Sequence, residues 1–532
     1  MNETDNIFKI VKEYHKAIID MRQKVENKEL ILCFGAGVSK PWGIPNWNEL
    51  VEKIAKNKKV NGEIISKSSM SLTSKIQALF EKFKKEQQET YGNSEDLLLE
   101  DHIRFKWIEI IRYELYGEHK SGDLQHPYLN EFIKIIEESP VTINYNFDNL
   151  TEQLIHLNQN GKKWGNNYEI VDRPSVNFKK STGVIIHPNG CISESPAESS
   201  SEHLIFSEKS FQDQLIESIM GYYNPILYFF SRYTTLFIGL SMTDPTLRHL
   251  LRQNAVINPG HFHYYIYFKD DNFCLTEKDM KSIQESYFDT YNLIVLFMDN
   301  SDLQSLGKCL NINKWNFEEL INDTEQDTVC NYYITGAPGT GKTSVLDIIK
   351  SFKVYTEFDE ANELLYKEEL QLSDKEKDDL DSWIAKQFRL RNRILDQTSF
   401  GIQLIDRSPL DPITYASDTK EKALDLNKVY KKTKRDLNLV SGHVILFTAD
   451  IDIVYKRLNK RNPSTYSKEW CEKKLNKFKR LFEKQEISII DTSNKSITEI
   501  AREIIHLIYF DKYKPVDLNK YMRDYCEGKR KL

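Results

Sequence analysis

No two of the seven cysteines in this 532-residue sequence stand as a C-x-x-C pair. Cys33, Cys191, Cys274, Cys309, Cys330, Cys471 and Cys526 are scattered, so a structural zinc ribbon is not expected. An odd, dispersed set also argues against a secreted disulfide framework and for a reducing cytoplasm. The sequence lacks any apolar run approaching the roughly 20 residues needed to span a bilayer. Its first residues, "MNETDNIFKIVKEYHKAI", are too charged for a signal peptide. There is no basic excess either: 73 Lys and Arg face 79 Asp and Glu, a net charge of -6. Bulk attraction to nucleic acid or to a membrane is therefore not indicated. No internal repeat is present.

What is there is an ordinary globular composition, 40% hydrophobic and 29% charged, over a length that implies two or three domains. Residues 5–28 carry Ile7, Ile10, Val11 and Tyr14 on one helical stripe. "ELILCFGAGVS" reads as a short strand followed by a glycine turn. The stretch from about 48 to 136 is helical and charged, interrupted near "TYGNSED", and is expected to be an insertion. Strand-like runs return at "SPVTINYN", "GVIIHPNG", "YTTLFIGLS", "HYYIYF" and "LIVLFM". Strands separated by helices imply a parallel, doubly wound α/β sheet. "CISESPAESSSEH" has no periodicity and is expected to be an exposed loop. The run "IMGYYNPILYFFSRY" is expected to pack on the sheet.

A second α/β unit is expected to begin near Asp327, with strands in "VCNYYITGAPGTGKTSVLDIIK", "FGIQLIDRSPLDP", "SGHVILFTADID" and "ISIIDTS". The expected division is 1–315, 325–512 and a tail, 513–532, whose mixed charges suggest a solvated surface.

Two constellations carry chemistry. In the first, Gly35 and Gly37 follow a strand, where glycine lets the backbone approach a pyrophosphate at a helix N-terminus. A plain tight turn would need no more than that. Here "GIPNW" follows closely, "NFDNLTE" (Asn146 to Glu152) ends the next strand, and "FIGLSMTDPTLRHLL" ends a later one. Amides and carboxylates gathered at a strand end can grip a polar ligand, or can simply cap the helix that begins near Asn149.

Over roughly residues 25–300 these motifs resemble the sirtuin family, specifically the divergent bacterial sirtuin-like proteins that degrade NAD in antiphage defence. The resemblance implies a Rossmann-like domain in which Gly35, Ala36, Gly37 and Ser39 form the phosphate loop, and Gly239 and Ser241 bind the adenosine half. It implies that Asn146 acts beside the nicotinamide ribose and that Asp148 faces the carboxamide. It also implies a homo-oligomer and admits a phage-derived trigger. The family places a histidine directly before a glycine as a base for the ribose hydroxyls. This chain has "IIHPNGCI", with Asn189 before Gly190. Either His187 reaches the ribose, or an amide has replaced the base. The zinc cysteines of protein deacetylases are absent, and Asn46 and Trp47 stand where deacetylases carry an arginine, so acyl-lysine removal is disfavoured against NAD hydrolysis.

The second constellation is "GAPGTGKT", Gly336 to Thr343, a full G-x-x-x-x-G-K-[ST] phosphate loop between a strand and a helix. Gly336, Gly341 and their neighbours offer amides to phosphates, Lys342 reaches the β and γ groups, and Thr343 ligates magnesium, so ATP with Mg is the expected ligand. "LIDRSPLD", with Asp406 and Arg407, resembles the Asp-Arg pair of nucleoside and nucleotide monophosphate kinases, and so do "VYTEFDEAN" with Glu357 and "VYKRLNKRN" with Arg457 and Arg461. That resemblance implies that Glu357 or Asp406 positions the acceptor hydroxyl, while the three arginines neutralise the transferring phosphoryl group. Arg457 and Arg461 also fit a solvated helix face.

Two functions remain in play from the sequence. One is an NAD-hydrolysing effector regulated through the nucleotide-binding unit; the other is a kinase whose first domain only senses NAD. A non-catalytic switch sits poorly with an intact Lys342 and Asp406.

Overall fold

A computed structural model describes residues 3–91, 97–120, 122–158, 168–172, 177–197, 201, 204–219, 224–366, 372–433, 438–463, 465–483 and 486–532. The chain forms two compact units, residues 1–13 with 24–317, and residues 14–23 with 318–532.

The first unit is built on seven parallel strands: β1 (Leu30–Phe34), β2 (Val141–Asn144), β3 (Glu169–Val171), β4 (Val184–Ile186), β5 (Thr234–Ile238), β6 (His263–Phe268) and β7 (Leu293–Met298). Their order is β3-β4-β2-β1-β5-β6-β7. β1, β2, β4, β5 and β7 are buried along their whole length, as parallel strands covered on both faces must be. Successive strands step outward from β1 in one direction through β2 and β4, and in the other through β5, β6 and β7. The reversal lies between β1 and β5, and a sheet of this order opens its ligand crevice at the carboxyl ends of those strands. Register brings the four relevant ends level. Phe34 pairs with Asn144 and with Ile238, and Ile143 pairs with Ile186. Gly35, Asn146, His187 and Gly239 thus follow strand ends at one edge.

The insertion expected between β1 and β2 is helical, with Trp47–Lys56, Leu72–Tyr91, Leu97–Tyr116 and Ile133–Glu138. The interruption expected at "TYGNSED" falls on residues 92–96, outside the described residues. In "CISESPAESSSEH" the expectation of exposure fails for Cys191, Ile192, Ser193 and Ser201, all buried. The amide of Ile192 donates to the Phe147 carbonyl at 2.6 Å, and that of Ser201 to the Cys191 carbonyl at 2.8 Å, tying the segment to the strand end. Helix Asn224–Arg232 turns Ile226, Phe229 and Phe230 into the core; residues 220–223 lie outside the described residues.

The second unit holds β8 (Val329–Gly336), β9 (Lys353–Tyr355), β10 (Gly401–Asp406), β11 (His443–Thr448) and β12 (Ser488–Asp491), all parallel, in the order β12-β11-β8-β10-β9. The strand ending in Asp406 pairs directly with the strand that feeds the phosphate loop. The expected solvated tail is instead part of this core. Helix Leu518–Cys526 buries Leu518, Tyr521, Met522 and Tyr525, a spacing of three, one and three that forms a single stripe. The charges between them occupy its outer face.

Candidate functional site

At the first strand edge, the polar cluster of β2 resolves into separate tasks. Asp148 accepts from the Leu150 amide at 3.2 Å, and Asn149 Oδ1 from Gln153 Nε2 at 3.0 Å and the Glu194 amide at 3.2 Å. These are helix-start and loop bonds, and they engage both residues within the protein. They leave Asn146 unexplained. Its amide Nδ2 donates to Ser39 Oγ at 3.1 Å, and its Oδ1 is buried with no hydrogen-bond partner among the described residues. Asn144 shows the complementary state: its Oδ1 accepts the Asn146 amide at 3.1 Å, and its buried Nδ2 has no partner. A buried polar atom left unmatched costs about 1–3 kcal/mol and calls for an explanation such as a ligand or water.

Ser39 joins the cluster from the other strand. It is fully buried, receives Asn146, and hydrogen-bonds the Asp148 carboxyl. Burial raises the Asp148 pKa, against the opposing pull of Ser39 and the Leu150 amide. The structure thus brings Ser39, Asn146 and Asp148 into one chain of contacts. Ala36 and Gly37 lie exposed at the start of the one-turn helix Ala36–Ser39. The Gly37 amide already donates to the Gly239 carbonyl at 2.9 Å. Ser241 is exposed and shares a 2.7 Å hydrogen bond with Thr243.

His187 is wholly buried and reaches inward. Nδ1 lies 3.0 Å from the Asn146 carbonyl, and Nε2 lies 2.8 Å from Glu152 Oε1. Asn189 is buried as well, its Oδ1 accepting from Gln214 Nε2 at 3.0 Å. The insertion closes the cluster from outside. Tyr116 donates to the Ile192 carbonyl at 2.7 Å and accepts the Asn149 amide at 3.0 Å. Trp47 stacks on Phe147 with centroids 5.6 Å apart, and Asn46 caps the helix Trp47–Lys56 in a reciprocal box with Glu49.

In the second unit, the phosphate loop runs from Gly336 to the helix Lys342–Leu346, with Gly336 and Gly341 at φ of 144° and 96°. Lys342 Nζ donates to the Gly336 carbonyl at 2.7 Å and the Ala337 carbonyl at 3.1 Å, folded back along its own loop. Thr343 Oγ1 donates to Asp406 Oδ2 at 3.3 Å, while Asp406 Oδ1 is buried without a partner among the described residues. Arg407 pairs with Glu357 at 2.7 Å and donates to the Tyr415 hydroxyl at 2.8 Å. Glu357, Asp406, Arg407, Lys342 and Thr343 therefore share one site. Arg457 turns to the scaffold, with its guanidinium on the Thr492 carbonyl at 2.8 Å and the Gly339 carbonyl at 3.4 Å. Arg461 is exposed at the end of helix Ile451–Arg461.

Burial, reinforced by the charge of Arg407, lowers the Lys342 pKa to about 8. A bound phosphate would favour the charged form and raise it again, so nucleotide binding should take up a proton above pH 8. ATP affinity is then expected to fall as pH rises from 8 towards 10. Calorimetry at pH 8.5 in two buffers of different ionisation enthalpy checks this; equal apparent enthalpies in the two would rule it out.

Three participants escaped the sequence. Glu152 and Tyr116 carry no motif of their own for the contacts they make. Arg391 is buried in helix Asp374–Asp396; it donates to the carbonyls of Thr356 at 2.8 Å, Asp406 at 2.9 Å and Arg407 at 2.9 Å.

Comparison with known proteins gives each unit a family likeness. Residues 140–296 match the model of a SIR2-like domain, and residues 331–490 match that of an AAA domain. No curated protein matches the chain. Among solved structures, deoxyadenosine kinase from M. mycoides with bound dATP is 14% identical, with a TM-score of 0.26, covering 33% of this chain and 96% of that one. The same enzyme with products dCMP and a flexible dCDP is 16% identical, with a TM-score of 0.25, covering 33% of this chain and 95% of that one.

Proposed function

We propose that this chain, a SIR2-like domain followed by a P-loop kinase-like domain, cleaves NAD to nicotinamide and ADP-ribose under the control of a nucleotide held by its second unit. The observation that carries the first half is the Asn146 Oδ1, buried, unmatched, and held at the carboxyl edge of the sheet beside the β1–β5 reversal. An amide oxygen there supports a developing positive charge on the ribose, and the family resemblance gives Asp148 the carboxamide. Breaking the ribosyl–nicotinamide bond sends its electron pair to nicotinamide. Water then bonds to the ribosyl carbon and gives up a proton to solvent. Such a dissociative path needs little help from a base, which fits a site whose His187 and Asn189 are both engaged in internal hydrogen bonds.

In the second unit, the Lys342 ammonium would reach the phosphates of ATP. Thr343 and Asp406, with its unmatched Oδ1, fit a magnesium ion, which would neutralise phosphate charge. Glu357 and Arg407 stand beside the phosphate loop where a phosphoryl acceptor would lie. NAD loss would halt an infected cell, in keeping with the resemblance to antiphage proteins. Among the described residues no helix is long and apolar enough to cross a membrane.

The deciding measurement is nicotinamide release from NAD by the whole chain, with and without ATP, magnesium and a panel of nucleosides. Asn146→Ala is expected to abolish release, by at least about 100-fold, as removal of a preorganised electrostatic group does. A nucleotide that changes the rate would make the second unit its regulator. The second reading, a kinase with an NAD-sensing first unit, is favoured by the engagement of His187 and by Asn189 standing where a base is expected. It predicts NAD binding without nicotinamide release, together with phosphate transfer to a nucleoside.

A further inference from the structure

His187 is placed to hold the strand end together. It follows β4 and is 0% exposed. Its Nδ1 faces the Asn146 carbonyl at 3.0 Å, and a carbonyl only accepts, so Nδ1 carries a hydrogen. Its Nε2 faces the Glu152 carboxylate at 2.8 Å, from the first turn of helix Leu150–Asn158, itself 3% exposed. Both ring nitrogens are spent on protein acceptors. Asn146 is consequently pinned at three points: its amide on Asn144 Oδ1, its carbonyl on His187 and its side-chain amide on Ser39. The atom left over is Oδ1, which the reading above assigns to the ribose.

We infer that His187 and Glu152 form a buried imidazolium–carboxylate clamp that positions the Asn146 peptide, and that His187 is not the proton acceptor of the site. The catalytic consequence rests on the proposed NAD cleavage; the clamp itself does not. Burial alone would push the ring's pKa down, but the Glu152 charge, the two hydrogen bonds and the nearby Asp148 carboxyl outweigh it and raise it. A side-chain amide at 187 keeps a donor for one partner, while alanine keeps none. Glutamine at 152 keeps the shape of the carboxylate without its charge, so the reason for a charged ring disappears.

The experiment uses the whole chain with nitrogen-15-labelled histidine, and long-range proton–nitrogen correlations identify His187 as the signal lost in His187→Gln. Two protonated nitrogens are expected at pH 6, with the proton held to higher pH than on a free imidazole, changing in Glu152→Gln to a neutral ring with hydrogen on Nδ1 alone. A neutral His187 in the parent protein would overturn the clamp whether or not NAD is cleaved. If nicotinamide is released, Glu152→Gln should lower kcat about 10- to 100-fold while changing NAD affinity less than about threefold, as misplacement of a reacting group does. His187→Gln should retain more activity than His187→Ala with an unchanged pH profile. An acidic limb, with activity lost as pH falls, that is present in the parent and vanishes in His187→Gln would mark the histidine as the base and sink the inference.

Discussion

Arg391→Met is expected to lower the stability of the second unit by about 3–5 kcal/mol and to weaken ATP binding with it. The guanidinium is 3% exposed and donates to carbonyls from two strand ends: Thr356 and Glu357 beyond β9, Asp406 and Arg407 at the end of β10. The Phe388 ring lies 4.6 Å beneath it. Methionine fills much of the volume but donates nothing. Each carbonyl orphaned in a buried place costs about 1–3 kcal/mol, less than additively because water and the neighbours relax together. The same carbonyls set the directions of Glu357, Asp406 and Arg407, so the loss reaches the phosphate site. Lysine should fall between, since one ammonium cannot span four acceptors. Guanidinium denaturation and ATP titration of the three proteins test this; a midpoint for Arg391→Met equal to the parent's would mean that these carbonyls need no protein donor.

The second large effect is expected at Gly239. Its φ is 72°, and a Cβ there would lie 2.6 Å from the Val38 amide nitrogen and 3.0 Å from the Gly35 oxygen. Both are backbone atoms and cannot swing aside. The three glycines interlock across the reversal between β1 and β5: Gly35 donates to the Ile238 carbonyl at 3.0 Å, Gly37 to that of Gly239 at 2.9 Å. Gly239→Val adds a β-branched side chain to a left-handed backbone and forces the two loops apart. A loss of about 3 kcal/mol or more is expected, together with loss of NAD binding. Gly122→Ala is the control. Its φ is 83° but a Cβ there meets nothing within 4 Å, so it reports backbone strain alone. Should Gly239→Val melt no lower than Gly122→Ala and still bind NAD, the close approach of the two loops would carry no weight.

Much of this was legible in the sequence because it is local. A strand, a glycine turn and a helix sit within a dozen residues of one another, and "GAPGTGKT" states its own geometry. Asn146 could be singled out only through the family resemblance, since by themselves the amides at this strand end could equally cap a helix. The clamp was not legible. His187 meets Asn146 across 41 residues and Glu152 across 35, and no local pattern says which way an imidazole will turn. Ser39 was expected to hold phosphate; it ends the one-turn helix after β1, buried and bonded to Asn146. Arg391 was hidden by its surroundings: a helix rich in charge looks solvated until one guanidinium is found capping two strand ends. The last helix was misread for the opposite reason. The stripe of Leu518, Tyr521, Met522 and Tyr525 was present, but the flanking charges drew the attention.

Residues 14–23 belong to the second unit although its other residues begin only at 318. Lys16 Nζ donates to the Asp511 carbonyl at 2.5 Å, a partner 495 residues later. A ribosome adding about 5–20 residues per second needs roughly 25–100 s to supply it. Ile18, Ile19 and Met21 in this segment are all 0% exposed. The kinase-like unit is therefore discontinuous in the chain, and a gene fragment begun at residue 325 would translate a unit missing one of its own segments.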